Sequence, residues 1–167
     1  MKQTMSLLVL LLCLGCDDGD LPIDTIDFDE IETIGSCDPI AVGSANVLFK
    51  INGDEALILE LPNGLLKNEA TTEEVISNVP GGAKVTYRLF SDNVDDGYFC
   101  DAVPPLQPVV IQDISAASGQ VIVTTVPKDS IGFTHTIRLS NISFLLENGG
   151  RITDLRINDF GTVTTPL

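Results

Sequence analysis

The run Ala45-Asn46-Val47-Leu48-Phe49-Lys50-Ile51-Asn52-Gly53-Asp54-Glu55-Ala56-Leu57-Ile58-Leu59-Glu60-Leu61 carries the first decisive pattern. Its apolar residues alternate. Ala45, Val47, Phe49 and Ile51 share one face of the first half, and Leu57, Leu59 and Leu61 align in the second. Period two is the signature of a strand, whose successive side chains point to opposite faces. Asn52-Gly53 sits between the halves, and this pair suits the tight turns whose central residues need positive φ. The segment predicts a β-hairpin, closed off by Pro62-Asn63-Gly64.

The same period continues outward. Lys84 to Ser91 places Val85, Tyr87 and Leu89 together, and Gly119 to Val126 is rich in β-branched residues suited to a strand. The longest apolar pattern, Phe133 to Leu146, changes parity midway. Phe133, His135, Ile137 and Leu139 are odd-numbered, whereas Ile142, Phe144 and Leu146 are even. One regular strand cannot put both sets on one face, so a bulge or sharp bend is expected near Ser140-Asn141. Asn148-Gly149-Gly150 then turns the chain into a last strand through Leu155, Ile157 and Phe160. Thr71 to Ser77 is the one credible helix start, with capping-box spacing from Thr71 to Glu74, although a loop or strand fits nearly as well before Pro80-Gly81-Gly82. Pro104-Pro105-Leu106-Gln107-Pro108 lacks three amide donors and reads as a rigid extended crossover. Six to eight strands joined by Gly, Pro and Asn turns predict an all-β fold of two packed antiparallel sheets. An immunoglobulin-like or jelly-roll-like sandwich is expected, with a partly closed barrel as the alternative.

The chain of 167 residues begins MKQTMSLLVLLLCLGC, one lysine followed by an uncharged, leucine-rich stretch from Met5 to Gly15. That stretch is shorter than the roughly 20 apolar residues of a membrane-spanning helix and matches the hydrophobic region of a secretory signal. It ends in Leu14-Gly15-Cys16 and turns acidic at Asp17-Asp18-Gly19-Asp20. These residues resemble a bacterial lipobox. The resemblance implies cleavage before Cys16, acylation of the Cys16 thiol and a lipid bilayer as partner, with Cys13 discarded with the signal. The box departs from the usual pattern in carrying Cys13 at −3 and Leu14 at −2. The expected organisation is a signal at 1–15, an acidic tether at 16–36 and one β-sandwich domain at 37–167.

The formal net charge is −15, from 24 acidic and 9 basic side chains. Nine of the acids fall between Asp17 and Asp38, where there is no Lys or Arg. Such a self-repelling segment extends and stays solvated, reaching about 70 Å from Cys16 to Cys37 at roughly 3.3 Å per residue. Strong negative charge argues against nucleic acid as a partner, since that affinity comes largely from cations meeting phosphates. Ile23, Ile26, Phe28, Ile31 and Ile34 punctuate the tether. They allow either a solvated linker or an edge strand, over Thr25 to Glu30, docked on the domain. Asp17, Asp18 and Asp20 after the lipidated cysteine also resemble the surface-export signals of Bacteroidota lipoproteins, which implies an outer-membrane location with display at the cell surface.

Export changes the meaning of the remaining cysteines. With Cys13 removed and Cys16 acylated, Cys37 and Cys100 are the two free thiols, and an oxidising compartment favours a disulfide between them. A metal pair is the alternative, though two distant cysteines and one histidine lack the usual ligand spacing.

Few residues suggest chemistry. His135 reads as a strand residue with a local hydrogen bond. No G-x-S-x-G, H-E-x-x-H or dinucleotide-binding glycine pattern is present. Asp92, Asn93, Asp95, Asp96 and Tyr98 form an acidic loop whose oxygens suit Ca²⁺, but Val94 interrupts the spacing of a hand-like calcium loop, and a solvated turn is the plainer reading. Tyr98 and Phe99, with Tyr87 and Phe90, are the candidates for a sugar-binding platform or for ordinary packing. Glycoside hydrolysis would need acids that converge only in three dimensions, for example Asp92 or Asp101 with Asp113.

Several stretches together resemble a group of uncharacterised flavobacterial envelope lipoproteins. They are Cys16-Asp17-Asp18-Gly19-Asp20, Ile26-Asp27-Phe28-Asp29, Val47-Leu48-Phe49-Lys50, Val85-Thr86-Tyr87-Arg88, Tyr98-Phe99-Cys100, Val103-Pro104-Pro105, Ser118-Gly119-Gln120-Val121 and Phe160-Gly161-Thr162-Val163-Thr164-Thr165. The resemblance implies an envelope location and the Cys37–Cys100 pairing, and carries no activity or substrate. The leading expectation is a non-enzymatic, membrane-anchored protein without a cofactor, structural or binding an envelope protein or other ligand. The alternatives are a carbohydrate-binding accessory lipoprotein that takes an extracellular glycan and a glycoside hydrolase-like enzyme.

Overall fold

Alternation along the chain becomes ten strands and one helical turn in a computed structural model, which describes residues 25–146, 149–152 and 154–167. The elements are β1 (Thr25–Asp27), β2 (Asn46–Asn52), β3 (Glu55–Leu61), β4 (Val75–Val79), β5 (Lys84–Phe90), α1 (Gly97–Cys100), β6 (Val110–Lys128), β7 (Gly132–Leu145), β8 (Arg151–Ile152), β9 (Asp154–Arg156) and β10 (Asp159–Pro166). The signal, Cys13 and Cys16 lie outside the described residues.

The Asn52-Gly53 turn forms as expected, with Gly53 at φ 65° and β2 and β3 paired from Asn46↔Leu61 to Asn52↔Glu55. An antiparallel sheet of eight strands follows the order β10-β7-β6-β5-β3-β2, with β4 beside β6 and β8 beside β7. It folds over on itself because β6 serves two leaves. Its Val110–Ser115 half pairs with β5, and its Gly119–Val123 stretch pairs with β4. The inner faces meet in one core that joins Leu48, Leu59 and Val85 of one leaf to Val121, Ile137 and Phe160 of the other. This is the expected all-β, sandwich-like arrangement.

The fold-over occurs where the parity of β7 changes. Between Ser118↔Ser143 and Gln120↔Ser140, β6 advances two residues and β7 advances three. The extra residue is taken up near Asn141, at φ 54°, so Ile137, Leu139 and Phe144 all reach the core despite opposite parity. Gly119 lies opposite at φ 135°, where an added Cβ would stand 2.9 Å from the Ile142 Cα. Only glycine fits there.

Two expectations need correction. Thr71–Glu74 caps no helix: Val75–Val79 is a strand on β6, and the one helical turn is Gly97–Cys100. Val75 and Ile76 are β-branched, and the unpaired edge of β6 satisfies more backbone than two helical turns before Pro80 could. On β2, Val47, Phe49 and Ile51 share one face as expected, and the main core takes the other, with Leu48 and Lys50 buried there.

The second correction is that the domain begins before Cys37, through the docked strand that was the alternative to a solvated linker. The strand β1 runs parallel to β9, pairing Ile26 with Leu155, and Ile26 and Phe28 are fully buried. The edges β2 and β10 do not pair with each other, so the sandwich is open on that side, and residues 25–36 fill the opening. Phe28 N and Asp29 N donate to Arg156 O, Asn52 Nδ2 donates to Asp27 O, and Gly35 bridges to Phe49. Lys50 Nζ spans the gap, donating to Phe28 O and Asp159 O at 3.0 Å each. The solvated-linker alternative therefore fails from Thr25 onward, because two large apolar side chains gain burial by docking. Truncating a buried phenylalanine costs about 3–5 kcal/mol. Phe28→Ala is expected to lower stability by that amount in a denaturant titration; a change below about 1 kcal/mol would mean the segment is not an integral part of the fold.

Candidate functional site

Four places on the molecule bring chemistry-bearing residues together. The first is the outer face of β2, β3 and β5, where a small second core of Ala56, Phe90 and Val94 is joined by Ile51, Tyr98 and Phe99. The loop after β5 folds over it because Val94 N donates to Gly53 O and Phe90 N to Asp54 O. Phe49 is stacked on Phe99 with ring centroids 4.5 Å apart, and Gly35 lies so close to the Phe49 ring that an added Cβ would be 2.2 Å from it. A Cys37–Cys100 disulfide fastens the two chain segments over this cluster, with an S–S distance of 2.02 Å and a separation of 63 residues. The pairing agrees with expectation and leaves these thiols unavailable as a metal pair. A loop of that length corresponds to about 4 kcal/mol of chain-entropy stabilisation.

The rings of this cluster face one another. Tyr98 meets Phe99 and Phe90 edge to face, at interplanar angles of 70° and 74°. Such contacts are worth about 0.5–1.5 kcal/mol each beyond area burial. Tyr87 is elsewhere, on the inner face, donating to Glu55 Oε1 at 2.5 Å.

The acidic loop does not converge. Asp92 Oδ1 accepts from Asn93 N, and the backbone carbonyls of Asp95 and Asp96 accept from the helical turn that begins at Gly97 and contains Tyr98. Among the described residues, no three His, Cys, Asp or Glu side chains are placed to hold a metal. The carboxylates named for glycoside chemistry sit on different elements. Asp113 is bound to Arg88 across β5 and β6, whereas Asp101 lies at the end of the helical turn beside Gly97.

A third group is the buried histidine. His135 sits between Thr125 and Thr165, each Oγ1 at 2.8 Å from one ring nitrogen. Thr165 Oγ1 donates onward to Asn68 Oδ1, so it accepts from His135 Nε2, and Nδ1 accepts from Thr125. The imidazole is thus held neutral with both nitrogens satisfied, and burial lowers its pKa below the ordinary histidine value. Sequence reading anticipated a local hydrogen bond; the chain through Asn68 and Thr71 links residues far apart in sequence and could not be read there.

The fourth is a cleft of about 520 Å³ between Ile111–Ser115 of β6 and Leu145–Leu146 at the end of β7. It arises because β7 leaves β6 after Ala116↔Phe144 and continues against β8. The bond from Phe90 N to Asp54 O fixes the hydrogen-bonding parity of β5, so Tyr87 and Leu89 turn toward β6 and meet Ile114 and Gln112. Asp113 of β6 therefore turns its backbone groups toward the cleft, where no described strand pairs with it. A second cavity of about 400 Å³ adjoins at Gln112, lined also by Thr25, Asp54, Glu55, Tyr87, Leu89 and Ile152. Nothing in the sequence pattern signalled either cavity, since both depend on where two strands part.

A neutral histidine buried in the native state makes stability depend on pH. The unfolded chain takes up a proton as pH falls through about 6.5, and the folded chain does so only at lower pH. Its contribution is complete above that range and declines as pH falls below it. Melting temperatures at pH 7.5 and 5 are expected to fall further for the wild type than for His135→Gln; equal slopes would show that the imidazole titrates freely. Comparison with known protein families, curated proteins and solved structures finds no match to this chain.

Proposed function

We propose that the chain is a non-enzymatic envelope lipoprotein, akin to the flavobacterial group it resembles, anchored in the outer membrane through acylated Cys16 and displayed at the cell surface. Its β domain serves there as a structural or protein-binding module. The observation that carries this reading is the docked N-terminal segment. Eight residues separate Cys16 from Thr25, a reach of about 30 Å, less than half of the tether expected from sequence alone. Tension on that leash enters β1, which is held by the β9 ladder, by Lys50 and by the seal of Ile26 and Phe28. The Cys37–Cys100 bridge supports the same reading, since such a staple suits an oxidising compartment.

Binding of a protein is supported by the cleft beside β6. The outward backbone groups of Asp113 match an extended polypeptide, and the flanking Ile111 and Leu145 offer apolar contacts. Pairing with a second copy in the register centred on Asp113 would set Asp113 against Asp113, an unfavourable like-charge pair. The net charge of −15 likewise favours a cationic strand.

Two experiments test the two halves. Mass analysis of the membrane-extracted protein is expected to show an N-terminus at acylated Cys16, with the lipid lost in Cys16→Ala; an unmodified chain starting at Met1 would refute the anchor. Selection from a displayed library of random peptides is expected to yield extended sequences rich in Lys or Arg. Their binding should drop at least tenfold in Asp113→Pro, which removes an outward N–H unused by the described ladders. Peptides indifferent to that change would exclude the cleft.

A further inference from the structure

The crossover between α1 and β6 has a composition that an exposed loop in water does not need. From Ala102 to Gln112 there is no charged residue, and Val103 and Leu106 are 83% and 92% exposed. Single exposed apolar residues are unremarkable, but here they crown one strap that continues into the exposed Val109 and Ile111. Pro104, Pro105 and Pro108 remove three amide donors, which lowers the cost of placing this backbone where water is scarce. Both ends of the strap are fixed. Cys100 is bridged to Cys37, and Val109 exchanges hydrogen bonds with Ser91, accepting from its N–H and donating to its Oγ.

The position of the strap matters as much as its composition. Thr25, where the described chain starts, shares a cavity with Asp54, Leu89 and Gln112. Phe90 pairs with Val110, so the strap joins β6 at that same end of the sheet. The leash from Cys16 reaches about 30 Å at most, which keeps this end of the domain, and no other, within that distance of the anchor.

We infer that the strap Ala102–Val109 lies in the interfacial layer of the membrane that carries the Cys16 acyl chains, as a second, non-covalent contact. The inference rests on acylation at Cys16. The contact orients the domain as well as holding it, and brings the cleft beside β6 near the membrane surface. Asp92, Asp95, Asp96 and Asp101 precede the strap and favour neutral over anionic headgroups.

The test uses the acylated protein in phosphatidylethanolamine–phosphatidylcholine vesicles with an environment-sensitive fluorophore on Leu106→Cys. The comparison carries it on Ile131→Cys, which is 65% exposed at the turn after the far end of β6. Brominated lipid is expected to quench the probe at 106 at least about threefold more than the probe at 131, and anionic lipid to reduce the difference. The added change Val103→Asp should bring the probe at 106 toward the value at 131. Equal quenching at both positions, in protein that remains on the vesicles, would overturn the inference and leave the anchor standing. A probe at 106 shielded from water without lipid quenching would assign the strap to a protein partner instead. Failure of the protein to stay on vesicles at all would refute the anchor and the inference together.

Discussion

A strand of 19 residues that belongs to two leaves of a sheet cannot be straight, and the rest of this molecule is arranged around that constraint. The strand β6 takes β5 as its neighbour in one half and β4 in the other, while β7 accompanies it through the bend. The bend is possible because Gly119 and Asn141 adopt positive φ on facing strands. Its consequence reaches both leaves. The leaves close over a common core, and β7 parts from β6 beyond Phe144, leaving a cleft beside a stretch of β6 that no described strand pairs on that side.

Folding a sheet in two leaves an open side between its outer edges, and the protein closes it with polar chemistry as well as apolar bulk. Lys50 is nearly fully buried on β2, yet its ammonium reaches the carbonyls of Phe28 and Asp159 and lies 5.5 Å from the ring centroid of Phe160. Burial lowers its pKa, while Asp159 and Asp29 oppose that shift. Two carbonyls deprived of this donor would each cost about 1–3 kcal/mol if left buried and unpaired. His135 has the corresponding place in the other leaf, linking neighbouring strands through two threonines. The buried ionisable groups Lys50 and His135 thus join segments distant in sequence.

The docked segment at 25–36 connects fold to function. It is acidic enough to resemble a spacer, but Ile26 and Phe28 recur at strand spacing and become buried. Alternation therefore hinted at β1, whereas its parallel pairing with β9, 129 residues later, required the assembled edge. The aromatic cluster was legible only as a set of residue types. Tyr98 and Phe99 suggested a platform, and the helical turn at Gly97–Cys100 instead directs them against Phe90 and Phe49. In the acidic loop, spacing along the chain likewise said little about convergence. A turn can direct neighbouring carboxylates apart, and Asp113 is held by an arginine on the adjacent strand.

Local chemistry determined a good deal. Period-two alternation, the Asn52-Gly53 turn, the parity change before Ile142 and the number of cysteines follow from side-chain direction, backbone sterics and redox context, all properties of neighbouring residues. Tertiary structure alone decided which face of β2 is core, that Val75–Val79 is a strand, that Lys50 is buried and where the cleft opens. Each of these is set by a partner brought from elsewhere in the chain. A backbone edge or an empty corner has no sequence of its own until the segments around it meet.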